Sequence, residues 1–508
     1  MSLLRISLIL TIIAMMSRGL GLARDLAITY VYGATPATDS FYAATSLVYA
    51  AHVIIGASLT GVTVPFLREG ADDNGREAEF RTISSILNVT ILALSVLTVF
   101  GMVYADVVAR ALIGTESATS TAGFIFILMP SVILLGAAGI LSGILNQSHI
   151  FVPVSAAPAL LNLFVIIAVL IPWRGSDVHI AIIGTLIGSI AFFLIQIPRL
   201  YGVKYRHNWR INLDKQQFSR FFGPAVPVLA VSFLTYSYTF VDIAFASRLG
   251  EGIVTAVNVA TKLIQLPQGV IAMGLTAATF PLLSAYIKKG ELSLAAQLTG
   301  NVSLTILFLA LPTTAFMVVT SDLIIGIVFG KSAFTEEALD VTMLILRINA
   351  MSLPALALNI FLLRVFYAKE QWRIPLLAFA TGFAAKCLLS YTFVDIAGVD
   401  IIAISTVLSV SLTTLIMTFH VNSVLQGAFG PKFTVGLSRI LVAASGMAAL
   451  LLFSRKALLR IMPDIWELGL LLLLAALGVL IMLILARTLF RAEFSLFWDR
   501  RSGNPPEK

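Results

Sequence analysis

The feature that most constrains this chain is a long succession of apolar segments. Runs of roughly 20 or more apolar residues, bounded by charged or turn-forming residues, recur along nearly the whole sequence. The chain is 58% hydrophobic and only 12% charged, whereas a soluble domain is nearer a quarter charged. The runs are too long, and lack the alternating polarity, for strands of a membrane barrel. The sequence therefore predicts an all-α, polytopic membrane protein with about fourteen transmembrane helices.

The boundaries of these helices follow from the turn and charge signals between the runs. The first run follows Arg5 and resembles a signal peptide, but no small-residue cleavage site and polar domain come after it, so we expect an uncleaved first span. The predicted spans fall near residues 4–32, 37–67, 80–112, 119–146, 150–172, 178–202, 218–248, 252–286, 293–329, 338–366, 372–396, 399–425, 436–457 and 466–490.

The orientation of the spans is predicted from the lysines and arginines between them. Positive charge concentrates after even-numbered spans, which places those connections and both termini in the cytoplasm. One cluster before the last span, at Arg455, Lys456 and Arg460, disagrees. The same bias explains the net charge of +8 without a nucleic-acid partner. The residues that carry it are Arg68, Arg76, Arg81, Arg199, Lys204, Arg206, Arg210, Lys215, Arg220, Lys288, Lys289, Arg364, Lys369, Arg373, Lys432 and Arg439, with five more in the tail.

An internal repeat divides the chain. The segments 44–67 and 260–283 align without gaps, and about nine of 24 positions are identical, including Thr60 with Thr276 and Pro65 with Pro281. Asp25 and Asp242 each lie eight residues before a glycine upstream of these segments. A duplicated unit of six helices keeps its orientation, so we predict two parallel lobes around a central cavity.

The repeat sets the predicted domain organisation. The N-lobe comprises residues 1–203, a basic cytoplasmic linker 204–217, and the C-lobe 218–425. Two additional helices fill 436–490, and a cytoplasmic tail follows at 491–508.

Charged residues inside the spans are the candidate functional residues, because an intramembrane charge is costly unless it faces water or a partner. Arg18 and Arg24 in the first span are six residues apart, so their directions differ by about 120° and they can border one broad cavity. Asp25 is expected to point elsewhere, with a local structural role as the alternative. Lys262 precedes a proline break in the eighth span, and Arg347 precedes Pro354 in the tenth.

Two further titratable residues lie within spans, His52 in the second and Lys386 in the eleventh, and a structural role is as plausible for each as a functional one. The single cysteine, Cys387, provides neither a disulfide nor a metal cluster. Buried positive charge exceeds negative charge in the spans. A cationic cavity suits an anionic substrate, and guanidinium groups suit phosphate or diphosphate in particular.

The motifs "SRGLGLARD", "YGATPATDSFY", "VPFL" and "ATKLIQLPQGVIAMGLTAATFPLLS" resemble the MurJ/MviN family of lipid II flippases, within the multidrug/oligosaccharidyl-lipid/polysaccharide exporter superfamily. The resemblance implies that Arg18, Arg24 and Asp39 line a cationic cavity needed for transport. The chain departs from the family where an arginine pair in the second span reads Ala51-His52 and an arginine in the eighth is Lys262. We assign substrate binding to Arg18, Arg24, Asp39, His52, Lys262 and Arg347.

The resemblance implies a non-enzymatic flippase of the bacterial inner membrane that acts in peptidoglycan biosynthesis. Its substrate would be an undecaprenyl-diphosphate saccharide, most simply lipid II, moved from the cytoplasmic to the outer leaflet by alternating access. Another polyprenyl-linked polysaccharide unit, a drug/cation antiporter, an enzyme acting on lipid-linked sugars and a non-transporting scaffold are the alternatives. We expect a functional monomer without cofactor or metal, and an ion gradient or the membrane potential remains open as the energy source.

Overall fold

The structure is a computed structural model that describes residues 3–69, 76–115, 117–171, 177–425, 427–461 and 466–489. All regular secondary structure in these ranges is helical, with no strand among the described residues. The prediction of an all-α fold is therefore confirmed.

Sixteen helices follow one another along the described chain. Thirteen of them are long and apolar enough to cross a membrane, and α1 coincides with the first predicted span. The helices are α1 (Leu3–Tyr32), α2 (Pro36–Arg68), α3 (Arg76–Val103), α4 (Ala105–Ile113), α5 (Ala118–Leu128), α6 (Pro130–Gln147), α7 (Val152–Leu170), α8 (His179–Gly202), α9 (Lys215–Ala246), α10 (Ile253–Lys288), α11 (Leu292–Phe329), α12 (Glu336–Ala368), α13 (Arg373–Ala397), α14 (Asp400–Val424), α15 (Pro431–Ile461) and α16 (Glu467–Leu489).

Two predicted spans are each divided into two helices. The span 80–112 is interrupted at Tyr104, whose backbone (φ −99°, ψ 19°) is not helical and which separates α3 from α4. The span 119–146 is divided where Pro130 opens α6, because proline has no N–H to continue the hydrogen bonds of α5. Hydropathy alone did not reveal either break, since all four helices are apolar.

The two copies of the repeat share a local distortion. Helix α2 contains a π-helical turn at Ala51–Gly56, and α10 contains one at Gly269–Met273. On the alignment that pairs Thr60 with Thr276, these two turns overlap. Insertion of one extra residue per turn reorients the side chains that follow and bends the helix. The shared distortion supports the duplication predicted from sequence.

The described helices fall into two compact units. The first unit is Met1–Lys262, Lys331–Thr342 and Phe379–Ser405. Its core includes Ile83, Ile140 and Phe221, all fully buried. Helix α6 approaches α2 closely because a Cβ on Gly139 would lie 2.2 Å from the carbonyl oxygen of Gly56. Such small residues let membrane helices pack backbone to backbone.

The second unit is Leu263–Gly330, Met343–Ala378 and Thr406–Lys508. Helices α11, α15 and α16 share a core that includes Val319, Leu451 and Leu474. Arg455 lies beside this core and donates hydrogen bonds to the carbonyl oxygen of Val319 (2.8 Å) and to both carboxylate oxygens of Asp322. This ion pair gives Arg455 a partner within the protein, which explains why it departs from the charge pattern of the loops. The predicted lobe boundaries and the orientation of the termini stay predictions.

Candidate functional site

The centre of the candidate site is Arg24 in α1, which is only 4% exposed. Helix α7 lies against α1 here because the glycine at position 21 leaves room: a Cβ on Gly21 would lie 3.5 Å from Nδ2 of Asn162. The Asn162 amide also donates to the carbonyl oxygen of Ser17 (3.4 Å). Asn162 therefore ties α7 to α1 on both sides of the half-buried Arg18 and Arg24.

The guanidinium group of Arg24 is held by three different side chains. Its Nε and Nη2 atoms donate to Oδ1 of Asp25 at 2.9 and 2.5 Å. Its Nη1 atom donates to Oδ1 of Asn162 at 3.1 Å and to the hydroxyl of Tyr49. A buried cation needs this kind of support to remain charged. The expectation that Asp25 points elsewhere is wrong: the side chain of Arg24 turns back along α1, so that the two neighbours pair.

Tyr49 links Arg24 to a second cation. The guanidinium carbon of Arg24 lies 5.0 Å from the centre of the Tyr49 ring, and Nζ of Lys262 lies 5.7 Å from it. Both distances are within the range of cation–π attraction. Lys262 in α10 and Arg24 in α1 thus share one aromatic ring, with Asp25 as the carboxylate bound to Arg24. We call Arg24, Asp25, Tyr49, Asn162 and Lys262 the Arg24 cluster.

The charge balance of the Arg24 cluster is positive. Two cations face one carboxylate, and the Oδ2 atom of Asp25 is buried without a hydrogen-bond partner in the described structure. Tyr42 donates only a long hydrogen bond, 3.5 Å, to Oδ1 of the same carboxylate. The cluster can therefore attract an anion whose oxygens replace or supplement Asp25 as acceptors.

Asp39 has a different environment from the one expected of a cavity residue. It is 3% exposed, and its oxygens accept from the backbone N–H groups of Gly252 (2.7 Å) and Thr255 (2.8 Å). The Thr255 hydroxyl adds a third bond of 2.6 Å. A carboxylate in this position stabilises the N-terminus of α10. Both of its oxygens are thus engaged by the protein, and contact of Asp39 with substrate stays a prediction.

The contact of Asp39 joins equivalent positions of the repeat. Asp39 lies as far before Thr60 as Thr255 lies before Thr276. The hydroxyl of Thr255 also donates to that of Thr38 at 3.0 Å. The beginnings of α2 and α10 therefore meet at matching residues.

The structure places His52 and Arg347 outside the contacts of the Arg24 cluster. His52 lies in the π-helical turn of α2, and its ring packs edge-on against Phe192 of α8 at 5.0 Å. Its Nδ1 atom is buried without a hydrogen-bond partner in the described structure. Arg347 belongs to the second compact unit, where its Nε donates to the Ser321 hydroxyl at 3.1 Å. A substrate role for either residue stays a prediction.

A second buried ion pair lies in the first compact unit. Lys386 of α13 is fully buried, and its Nζ lies 2.6 Å from Oδ1 of Asp242 in α9. The ammonium group also lies 5.9 Å from the centre of the Tyr238 ring, one turn before Asp242. Asp25 and Asp242, paired by the sequence repeat, thus each bind a buried cation, but the cations come from different helices.

Sequence reasoning missed several of these partners. Tyr49 and Asn162 were not singled out, although each is a polar group within an apolar span. Lys386 and Asp242 were noted separately, and their pairing was not foreseen. Polarity at a buried position was the available signal, but it does not say which distant residue will be the partner.

These observations define a class: a polytopic α-helical membrane transporter with duplicated helices and a buried cationic site. The sequence matches the Lipid II flippase MurJ family over residues 28–489. The chain therefore belongs to the lipid II flippase MurJ family, as the motifs predicted.

Relatives in other bacteria match over most of their length. A "Probable lipid II flippase MurJ" of Rhizobium meliloti is 26% identical over 451 residues, which cover 86% of this chain and 83% of the relative. A "Lipid II flippase MurJ" of Burkholderia cenocepacia is 25% identical over 467 residues, covering 89% of both chains.

Solved structures agree with the fold. A structure of "Lipid II flippase MurJ, inward closed conformation" superposes with a TM-score of 0.80 at 20% identity, covering 97% of this chain and all of that one. An inward-facing MATE multidrug transporter of the MOP superfamily gives a TM-score of 0.66 at 16% identity and covers 80% of this chain and 94% of that one. At these identities the likeness concerns the fold alone.

Proposed function

We propose that this chain is a flippase that moves lipid II, an undecaprenyl-diphosphate-linked peptidoglycan precursor, from the cytoplasmic to the outer leaflet of the bacterial inner membrane. Membership of the family supports the substrate class, and both cited relatives are named for lipid II. The single structural observation that carries the proposal is the Arg24 cluster, in which two buried cations share one tyrosine ring.

The diphosphate is the part of the substrate that the Arg24 cluster would recognise. A planar guanidinium presents paired N–H donors that match two phosphate oxygens, and Lys262 would add a mobile point charge. Asp25 would serve as the counter-ion of Arg24 in the empty protein. On binding, phosphate oxygens would compete with Asp25 for the Nε and Nη2 donors.

The polar headgroup and the lipid tail pose different problems. The saccharide and diphosphate need a hydrated, charged path, while the tail is already at home in the bilayer. We propose that transport proceeds by alternating access, with the duplicated lobes rocking around the bound diphosphate. The protein would act as a monomer with both termini in the cytoplasm, driven by an ion gradient or the membrane potential rather than by an enzymatic reaction.

Depletion of the protein tests the substrate most directly. When its expression is shut off, lipid II should accumulate within minutes to one generation, before growth stops, and other undecaprenyl-diphosphate intermediates should not rise first. A plasmid copy of the wild-type chain should reverse the accumulation. If a different polyprenyl-linked saccharide accumulates while lipid II stays constant, the chain exports that unit instead.

A matched pair of variants separates the site from the scaffold. Arg24→Ala should fail to reverse the accumulation although it is inserted normally. Arg110→Ala is the control, since Arg110 is an exposed arginine whose partner Asp106 is one turn away on the same short helix. Equal complementation by both variants would remove the Arg24 cluster from the transport path.

A further inference from the structure

The segment 203–214, between α8 and α9, has no helical structure beyond its first turn but is fixed along one side. The hydroxyl of Ser85 donates to the carbonyl oxygen of Arg210 (3.2 Å) and accepts from the backbone N–H of Asn212 (3.1 Å). The amide of Asn88 donates to the carbonyl oxygen of Asn208 (2.8 Å). Three backbone groups of the segment are therefore bound to one face of α3.

Tyr205 adds an anchor at the start of the segment. Its ring is buried edge-on against Phe80 at 5.4 Å, and its hydroxyl lies 2.9 Å from Oγ of Ser84. The hydroxyl also lies 3.0 Å from Nδ1 of His207. Burial raises the pKa of Tyr205 and lowers the pKa of His207, so both side chains are neutral at physiological pH. The inner side of the segment is thus uncharged and fully hydrogen-bonded to α3.

The outer side has the opposite character. Trp209 is 80% exposed and Ile211 55% exposed, and Tyr201 at the end of α8 is 79% exposed. Arg206 and Arg210 are also exposed, and no acidic residue occurs between Arg199 and Asp214. A rigid backbone therefore holds aromatic, aliphatic and cationic side chains outward. A protein does not normally expose such a tryptophan without a partner that covers it.

We propose that segment 203–214 is a preformed binding surface for anionic phospholipid headgroups. The segment joins two candidate spans, α8 and α9, and so lies where the membrane ends. Tryptophan and tyrosine favour the headgroup level of a bilayer, and clustered arginines favour anionic lipids there. Because the backbone is already fixed by α3, binding incurs little ordering entropy.

The charge and the apolar side chains together select lipid over a soluble acidic protein. A soluble acidic partner would satisfy the arginines but would not require Trp209 and Ile211 to project beside them. A bilayer surface satisfies both, with phosphates at the arginines and acyl chains or glycerol at the rings. This assignment is independent of what the protein transports.

The test uses the full-length protein in nanodiscs. A bimane label on Trp209→Cys, in a Cys387→Ser background, is measured against bilayers that contain brominated phosphatidylcholine or brominated phosphatidylglycerol. The label at 209 should be quenched by both lipids, and several times more by the phosphatidylglycerol at equal content. Lys289→Cys, an exposed cation at the end of α10, is the control position and should show little difference between the two lipids.

The charge contribution is tested with Arg206→Gln/Arg210→Gln. Each cation near an anionic surface contributes about a fivefold change in affinity, so the double variant should lose most of the preference for phosphatidylglycerol. Lys288→Gln/Lys289→Gln removes two exposed cations elsewhere and should keep it. All four residues are exposed, so folding is not at stake, and a single size-exclusion peak checks this.

Three outcomes would overturn the proposal. An unquenched label at 209 would mean that the segment faces water. Equal quenching by the two lipids would mean that the segment touches the bilayer without recognising anionic headgroups. Quenching that disappears when a cytosolic extract is added, while phosphatidylglycerol has no effect, would mean that a protein covers this surface.

Discussion

The buried pair of Lys386 and Asp242 gives a prediction whose size can be derived from its environment. The Lys386 side chain is 0% exposed and that of Asp242 is 16% exposed. Removing one partner of a buried pair typically costs about 3–5 kcal/mol, because the other charge is left unpaired. Asp242→Asn strands a fully buried ammonium and should lie near about 5 kcal/mol. Lys386→Met strands a carboxylate with some access to solvent and should lie near about 3 kcal/mol.

The double variant Asp242→Asn/Lys386→Met separates the pair from its packing. With both charges gone, the loss should fall to about 1 kcal/mol or less, so the coupling energy exceeds about 2 kcal/mol. The assay is reversible unfolding of the purified protein in mixed micelles, followed by tryptophan fluorescence for all four proteins. Additive losses, with the double variant least stable, would show that the ion pair is not what stabilises this contact.

Three further predictions concern transport. Arg24→Lys should retain partial activity where Arg24→Ala has none, because a lysine restores charge but not the paired donors; equal loss in complementation would show that charge is irrelevant. Lys262→Arg should be tolerated and Lys262→Glu should not, and comparable growth of the two would place Lys262 off the path. Cysteines at Thr38 and Thr255, whose hydroxyls lie 3.0 Å apart, should form a disulfide in a Cys387→Ser background and block transport until reduced; an active oxidised protein would mean that these helix ends need not separate.

Much of the fold could be predicted because the bilayer imposes a simple pattern. A helix that crosses it needs about 20 apolar residues, and the predicted spans 2 and 7–14 correspond closely to α2 and α9–α16. The breaks at Tyr104 and Pro130 could not be placed, since hydropathy records polarity and not backbone continuity. The π-helical turns were also invisible, although the aligned repeat contained both of them.

The candidate site was predictable only in part, for a related reason. Arg24 and Lys262 attracted attention because a charge in a span must be compensated. Which residue compensates it depends on contacts between helices far apart in sequence, such as Asn162 with Arg24. Asp39 shows the same limit: its sequence context gave no sign that its carboxylate would bind the first turn of α10.

The most direct test of the account is lipid II flipping itself, measured in spheroplasts that contain this chain as their sole flippase. Lipid II that reaches the outer leaflet is cleaved by an impermeant hydrolase added outside, and its soluble product is counted. We predict that cleavage is near complete with the wild-type chain and with Arg110→Ala, and falls to the level of depleted cells with Arg24→Ala at equal protein content. Lipid II that is cleaved as fully in depleted cells, or with Arg24→Ala, as with the wild-type chain would contradict the claim that the Arg24 cluster carries the diphosphate across.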